Sequence, residues 1–345
     1  MASAAKDSGA DPHGRDATRP TALPWRAWKE ILGRVWVKTG TDNIGLLAAG
    51  VAFYAFLAFV PLLGALIMTY GLIADPSTIA DHMRAIIGLV PKDAAKLILD
   101  QIVSLVTTAS SKKGIGLVVA LLVSLYGATR ASGAIMMALN VVYEQIEKRS
   151  LIRTTLVSFV MIVGSVLVAL VGILAASALA LVGKVVDGLG PLAAVGINAA
   201  TWIVAAALAS IGIGVAYRYG PDRHDARWQW LTFGSVIATV LWLIATVGFG
   251  AYASTLGNYN ATYGSLGAVV VLLMWLWVSA YAILLGAEIN AEAERQTAQD
   301  TTTGPAKPLG KRGATVADEV AGEPGTHPSE EKSREAMRGA SGQQS

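Results

Sequence analysis

The sequence predicts an all-α, polytopic membrane helix bundle with about six transmembrane helices, plus extracytoplasmic amphipathic helices between the first and second spans. Two observations carry this. Of 345 residues, 54% are hydrophobic and 15% charged, where a soluble domain carries about 25% charged. The apolar residues also fall in uninterrupted blocks long enough to cross a ~30 Å hydrocarbon core, and so few polar residues cannot clothe those blocks for water. A third feature agrees: 36 Gly, with Ala frequent in the apolar blocks, let membrane helices approach closely enough for dispersion to hold them.

Charge spacing places the spans at about 45–73, 114–136, 156–182, 192–216, 231–253 and 266–287. Asn43 to Ala74, Thr154 to Gly183 and Gly188 to Tyr217 hold no ionisable group other than Tyr. Trp228 to Ala287 is charge-free over twice a span's length, divided by the polar cluster 256–264. The span that begins at Gly114 meets Arg130 before it is complete. Between the first two spans, Ile79, Met83, Ile86 and Ile87, and then Leu97, Ile98, Ile102 and Leu105 after Pro91, recur at helical spacing. They predict amphipathic helices that cap the bundle or lie on the outer leaflet.

Lys and Arg near the span ends orient the chain. Arg26, Lys29, Arg34 and Lys38 precede the first span; Lys148, Arg149 and Arg153 follow the second; Arg218, Arg223 and Arg227 follow the fourth. The opposite short links carry Lys184 or no basic residue. Both termini are therefore expected in the cytoplasm, which an even number of spans requires. The polar first 40 or so residues show no cleavable leader, so the first span is expected to act as an uncleaved anchor. Residues 1–24 and 296–345 lack periodic apolar positions and are expected to be disordered tails flanking a 25–295 membrane domain. In Trp25–Lys38, Trp alternates with basic side chains, which suits a helix at the headgroup level. Membrane lipids rather than nucleic acid are the expected partner.

Chemistry is sparse. With no Cys, disulfides, thiolate metal sites and Cys nucleophiles are excluded. His13, His82, His224 and His327 are scattered, with no HExxH or phosphate-binding GxxxxGK[ST] motif. No catalytic residue, metal site or cofactor is expected, and the chain reads as a non-enzyme. Arg130 is the informative residue, because a guanidinium in hydrocarbon costs at least about 2.5–3.5 kcal/mol and needs a partner, water or an escape route. It either snorkels to the cytoplasmic interface or lines a polar cavity that attracts an anionic group. Tyr126, Thr129 and Asn140 are candidates for the same path. Glu288 and Asn290 stand at the inner end of the last span, at a depth that Arg130 could share, while Pro61 interrupts the first span as a kink or hinge.

The segments Tyr217-Arg-Tyr-Gly-Pro-Asp-Arg223, Tyr259-Asn-Ala-Thr-Tyr-Gly-Ser-Leu-Gly267 and Leu285-Gly-Ala-Glu-Ile-Asn-Ala-Glu292, with Ala48-Ala-Gly-Val-Ala-Phe-Tyr54 and Ala138-Leu-Asn-Val-Val-Tyr143, resemble the YihY/BrkB family of bacterial inner-membrane proteins over about residues 30–295. The resemblance implies a six-helix inner-membrane domain. Members have carried a ribonuclease label, regarded as a misassignment, and labels of virulence or serum resistance, and envelope or lipid transport has been suggested for them. The residues give no metal ligands to activate water for a nuclease. Two readings follow: a permease- or flippase-like bundle that handles a lipid or anionic envelope component through Arg130, or a non-transporting scaffold or envelope-integrity protein. Homo-oligomerisation and an envelope partner protein both stay open.

Overall fold

The computed structural model describes residues 11–71, 115–186, 191–255 and 265–322. The amphipathic helices expected over 75–113 and the loop 258–264 lie outside the described residues. Among the described residues the chain is helical without a strand. The helices are α1 (Trp25–Thr41), α2 (Ile44–Gly71), α3 (Ile115–Val142), α4 (Leu151–Val186), α5 (Pro191–Tyr219), α6 (Trp228–Thr255), α7 (Ser265–Gln296) and a short α8 (Thr315–Asp318).

The class is the one the sequence predicts. Helices α4, α5, α6 and α7 are each long and apolar enough to cross a membrane, and the bent pair α1 with α2 adds a fifth candidate. Helix α3 carries Arg130 within its length. Six helices, α2 to α7, overlie the six expected ranges, but α7 continues nine residues past the expected end at 287, to Gln296. Its last turns are charged yet buried by other parts of the chain, so a charge-based boundary falls short there.

Helices α2, α3, α4, α5, α6 and α7 each pack on the next, and α7 returns to α2, closing a ring. Close approach depends on small residues. A Cβ on Gly127 of α3 would stand 3.2 Å from Ala58 Cα of α2. One on Gly286 of α7 would stand 2.5 Å from Ala238 Cβ of α6 and 2.8 Å from Tyr217 Oη. Amide and indole groups fasten the same seams: Gly234 N–H donates to Asn290 Oδ1 at 2.8 Å, Trp242 Nε1–H to Ser279 Oγ at 3.0 Å, and Trp277 Nε1–H to Gly45 O at 2.9 Å. Outward, α4 exposes Leu156, Val160, Leu167 and Leu174 to its surroundings, a face suited to an apolar solvent.

Helix α1 meets α2 at a 62° bend, made by Asn43 in the left-handed region at φ 52, which Asn tolerates better than most residues. Ala27, Ile31 and Val35, at i, i+4 and i+8, bury one face of α1 in a cluster with Trp230, Ile289 and Ala293. The other face exposes Trp25 and Trp36.

Both segments expected to be disordered are partly ordered. Residues 11–24 and 297–322 meet at one end of the ring, where Ala298 N–H donates to Arg15 O, Thr297 Oγ1 to Ala17 O at 2.6 Å, and Gln296 Nε2 to His13 O. Arg312 is the organiser. Its guanidinium donates to the carbonyls of Ala298, Gln299, Lys307 and Ala317. Composition conceals this, because a Gly- and Thr-rich strip without an apolar period can still be held by backbone hydrogen bonds to one buried Arg. Residues 1–10 and 323–345 lie outside the described residues.

Gly286→Ala is expected to destabilise the bundle by about 1–3 kcal/mol through overpacking. Gly164→Ala, whose Cβ would meet nothing within 4 Å, is expected to change little. Thermal unfolding of the two variants in the same detergent checks this.

Candidate functional site

Helix α3 carries Leu122, Leu125, Tyr126, Thr129, Arg130 and Met137 along one side, and this side faces Tyr54 of α2 and Thr154, Thr155 and Ser158 of α4 across a cleft of about 650 Å³. On the adjacent side, Gly127 holds α3 hard against α2. Arg130 is exposed, and its guanidinium stacks 5.1 Å from the Tyr126 ring centroid. Among the described residues no carboxylate pairs with it. Thr129 and Thr154 turn their hydroxyl hydrogens to the carbonyls four residues back, Leu125 and Ser150, and Ser158 donates to Met136 Sδ at 3.3 Å. The guanidinium is the one charged group among the residues lining this cleft, with the hydroxyls of Tyr54, Tyr126 and Thr155 and apolar Leu122, Leu125 and Met137 around it. One cation flanked by hydroxyl oxygens and hydrocarbon matches an anionic headgroup attached to a chain.

Arg130 lies twelve residues before the Val142 end of α3, about 18 Å along the axis. Of the residues expected to share its path, Tyr126 and Thr129 do. Asn140 does not: it is buried, accepts from Asp222 N–H at 2.7 Å and donates to Glu147 Oε2 at 2.9 Å, so it ties two connectors together. Asn290 also lies elsewhere, its amide spent on Gly234 N–H and Leu231 O. The Glu288–Arg130 pair suggested by depth is not made. Glu288 is 1% exposed and faces Asp42, Lys38 and Glu292. Pro61 lies inside α2, which continues through it; its surroundings lie outside the described residues. The cleft residues Tyr54, Thr154, Thr155 and Ser158 were not anticipated. Thr154 and Thr155 follow Arg153 directly and read as the start of a span, and only packing reveals that they face α3.

The densest polar structure is at the end where the terminal segments meet. Arg223 of the α5–α6 link and Glu294 of α7 are almost fully buried and pair at 2.6 Å. The guanidinium also lies 5.0 Å from the Tyr143 ring, and Thr301 Oγ1 donates to Glu294 at 2.9 Å. Arg295 pairs with Glu292 at 2.6 Å, Glu144 at 3.0 Å and Glu319 at 3.4 Å; Arg34 reaches Glu292 at 2.5 Å; Lys38 pairs with Glu144. Glu144 has a positive φ of 51, an uncommon conformation for this residue, held by these partners. In the sequence, Glu288, Glu292 and Arg295 recur at helical spacing after a charge-free span, the one signal that could have marked this network.

Burial pushes the Glu144 carboxyl up, but Arg295 and Lys38 outweigh it and hold it below the ordinary glutamate value. Hydrogen bonds from Arg149 likewise hold Glu147 low. At Asp300, burial is outweighed by the Lys307 and Thr302 N–H groups. Among the described residues, no group of three or more His, Asp or Glu side chains is placed to hold a metal ion.

A family model described as Virulence factor BrkB matches residues 35–310. The ribonuclease-like protein YfkH of Bacillus subtilis is 28% identical over 266 residues, covering 76% of this chain and 93% of YfkH. UPF0761 membrane proteins of Rhodospirillum centenum and Ralstonia nicotianae are 27% and 26% identical, covering 84% and 74% of this chain. The chain spans 62% and 56% of those two proteins' lengths. No solved structure matches.

Removing one partner of a buried ion pair strands the other, so Arg223→Met is expected to cost about 3–5 kcal/mol. Arg223→Met with Glu294→Met is expected to recover much of it, as read by thermal unfolding in detergent. A second expectation concerns acid. The carboxyls of Glu144, Glu147 and Asp300 are held low in the fold, so their stabilisation is whole at neutral pH and is lost as the pH falls below about 4. Because the chain has no Cys, Ala306→Cys can carry a unique spin label. The label should gain mobility on acidification from about pH 6 to about pH 3, and an unchanged spectrum would contradict the assignment.

Proposed function

This chain belongs to the BrkB virulence-factor family of membrane proteins, and from that premise we propose that it handles an anionic amphiphile, a lipid or a lipid-linked envelope component, in a permease- or flippase-like manner. The carrying observation is Arg130: exposed on a membrane helix, stacked on Tyr126, without a carboxylate partner among the described residues, and set in a cleft whose other walls are hydroxyl-bearing and apolar. Holding a cation unpaired in such a place is costly, and an anionic headgroup offsets that cost while its acyl chain lies along Leu122, Leu125 and Met137.

The family is one of membrane proteins and is not described as an enzyme family. The ribonuclease-like name is that of YfkH, and the present reading involves no hydrolysis. We place the chain in the bacterial inner membrane with both terminal segments in the cytoplasm, because Arg26, Lys29, Lys148, Arg149 and Arg223 gather at the end where these segments meet. There, Trp25 and Trp36 on the exposed face of α1 enter the headgroup layer. The second reading, a non-transporting scaffold for envelope integrity, draws on the extensive ion pairing at that end, and there the cleft would hold a lipid without moving it.

Arg130→Gln is the test. The purified variant is expected to lose copurifying anionic lipid about tenfold by native mass spectrometry, a change worth about 1.4 kcal/mol, with zwitterionic lipid unchanged. Equal anionic lipid in both proteins would reject the headgroup role. Reconstitution into vesicles with a fluorescent anionic lipid then separates the two readings: transbilayer movement that depends on Arg130 supports transport, and retention without movement supports the scaffold.

A further inference from the structure

The bend between α1 and α2 places a second carboxyl group where one is already buried. Asp42 caps the end of α1, and Glu288 points at it from α7, the two side chains standing within hydrogen-bonding reach. Glu288 is 1% exposed and the Asp42 side chain 16% exposed. One oxygen of each, Glu288 Oε1 and Asp42 Oδ2, is buried with no hydrogen-bond donor. Two ionised carboxylates cannot satisfy each other, because each only accepts. A single proton supplies the missing donor and removes one charge.

The surroundings do not neutralise the pair by another route. From α1, Lys38 faces it, 4.0 Å from Asp42 Oδ2, but its ammonium is engaged with Glu144. From α7, Glu292 faces it, and Arg295 and Arg34 are both spent on Glu292. Arg295 is further shared with Glu144 of the α3–α4 link and Glu319 of the C-terminal segment. Tyr143, buried beside Glu288, contributes a neutral phenol. Five carboxylates (Asp42, Glu144, Glu288, Glu292 and Glu319) thus face three cations (Lys38, Arg34 and Arg295).

We propose that Asp42 and Glu288 form a proton-binding site, holding one shared proton that clamps the α1–α2 bend to α7. Loss of that proton leaves two adjacent carboxylates, whose repulsion releases Asp42 and the end of α1 from Glu288. The protein gains in this way a conformational change driven by a proton. The inference is independent of the Arg130 cleft: lipid binding at Arg130 can fail with the proton site intact, and the converse.

Infrared difference spectroscopy on the full chain in nanodiscs, taken between about pH 8 and about pH 10, tests it. The wild type should show the C=O stretch of a protonated carboxylic acid at the lower pH and lose it at the higher. Glu288→Gln and Asp42→Asn should each lack this band, because one carboxylate accepting from an amide needs no proton. Above the ordinary carboxyl range the folded protein holds a proton that the unfolded chain does not, so the wild-type melting temperature should fall as pH rises from about 5 to about 9 and level off beyond, while both variants stay flatter. Absence of the band in the wild type, or its persistence in Asp42→Asn, overturns the proposal. The wild-type spectrum decides even if one variant fails to fold.

Discussion

The architecture of this protein's polar end rests on the ion pair of Arg223 and Glu294, two charges almost wholly withdrawn from water. Such a pair survives only if its remaining hydrogen-bonding capacity is met, and here the Tyr143 ring and the Thr301 hydroxyl meet part of it. Those companions come from the α3 terminus and the C-terminal segment, so satisfying one pair draws a connector, a helix end and a terminal segment into one place. The Arg295 cluster repeats this logic one residue along α7 and brings in α1 through Arg34.

This polar end contrasts with the membrane-facing part. Around the ring, helices are joined by small residues and a few amide and indole hydrogen bonds, interactions that are short-ranged and geometrically demanding. At the polar end, charges pair over longer side chains and tolerate more variation in geometry. The Arg130 cleft falls between the two regimes, a cation on a helix whose neighbours supply surface but no countercharge among the described residues.

Much of this was legible in the chain. Charge-free blocks located α2 and α4 to α7, because hydrocarbon enforces length and polarity more strictly than water enforces either. Arg130, Tyr126 and Thr129 came together as helical spacing implies. Asn140, Glu288 and Asn290 did not join them, since depth along a span says nothing about the angle around a helix or about which neighbour it meets. The ordering of residues 297–322 was hidden for a related reason: it depends on Arg312 finding four carbonyls, an arrangement without a periodic signature. The buried acids of α7 resembled an ordinary charged helix end, and only the terminal segments folding over them make them an interior.

The closure of the ring has a consequence for biogenesis. Helix α2 emerges first among the ring helices and packs on α7, the last, so one seam of α2 stays open to lipid until the ribosome has delivered nearly the whole chain. The segment after α7 that carries Arg312 and Glu319 arrives later still. The ring therefore closes only when its last helix arrives, and a nascent chain halted before α7 holds an unzipped bundle.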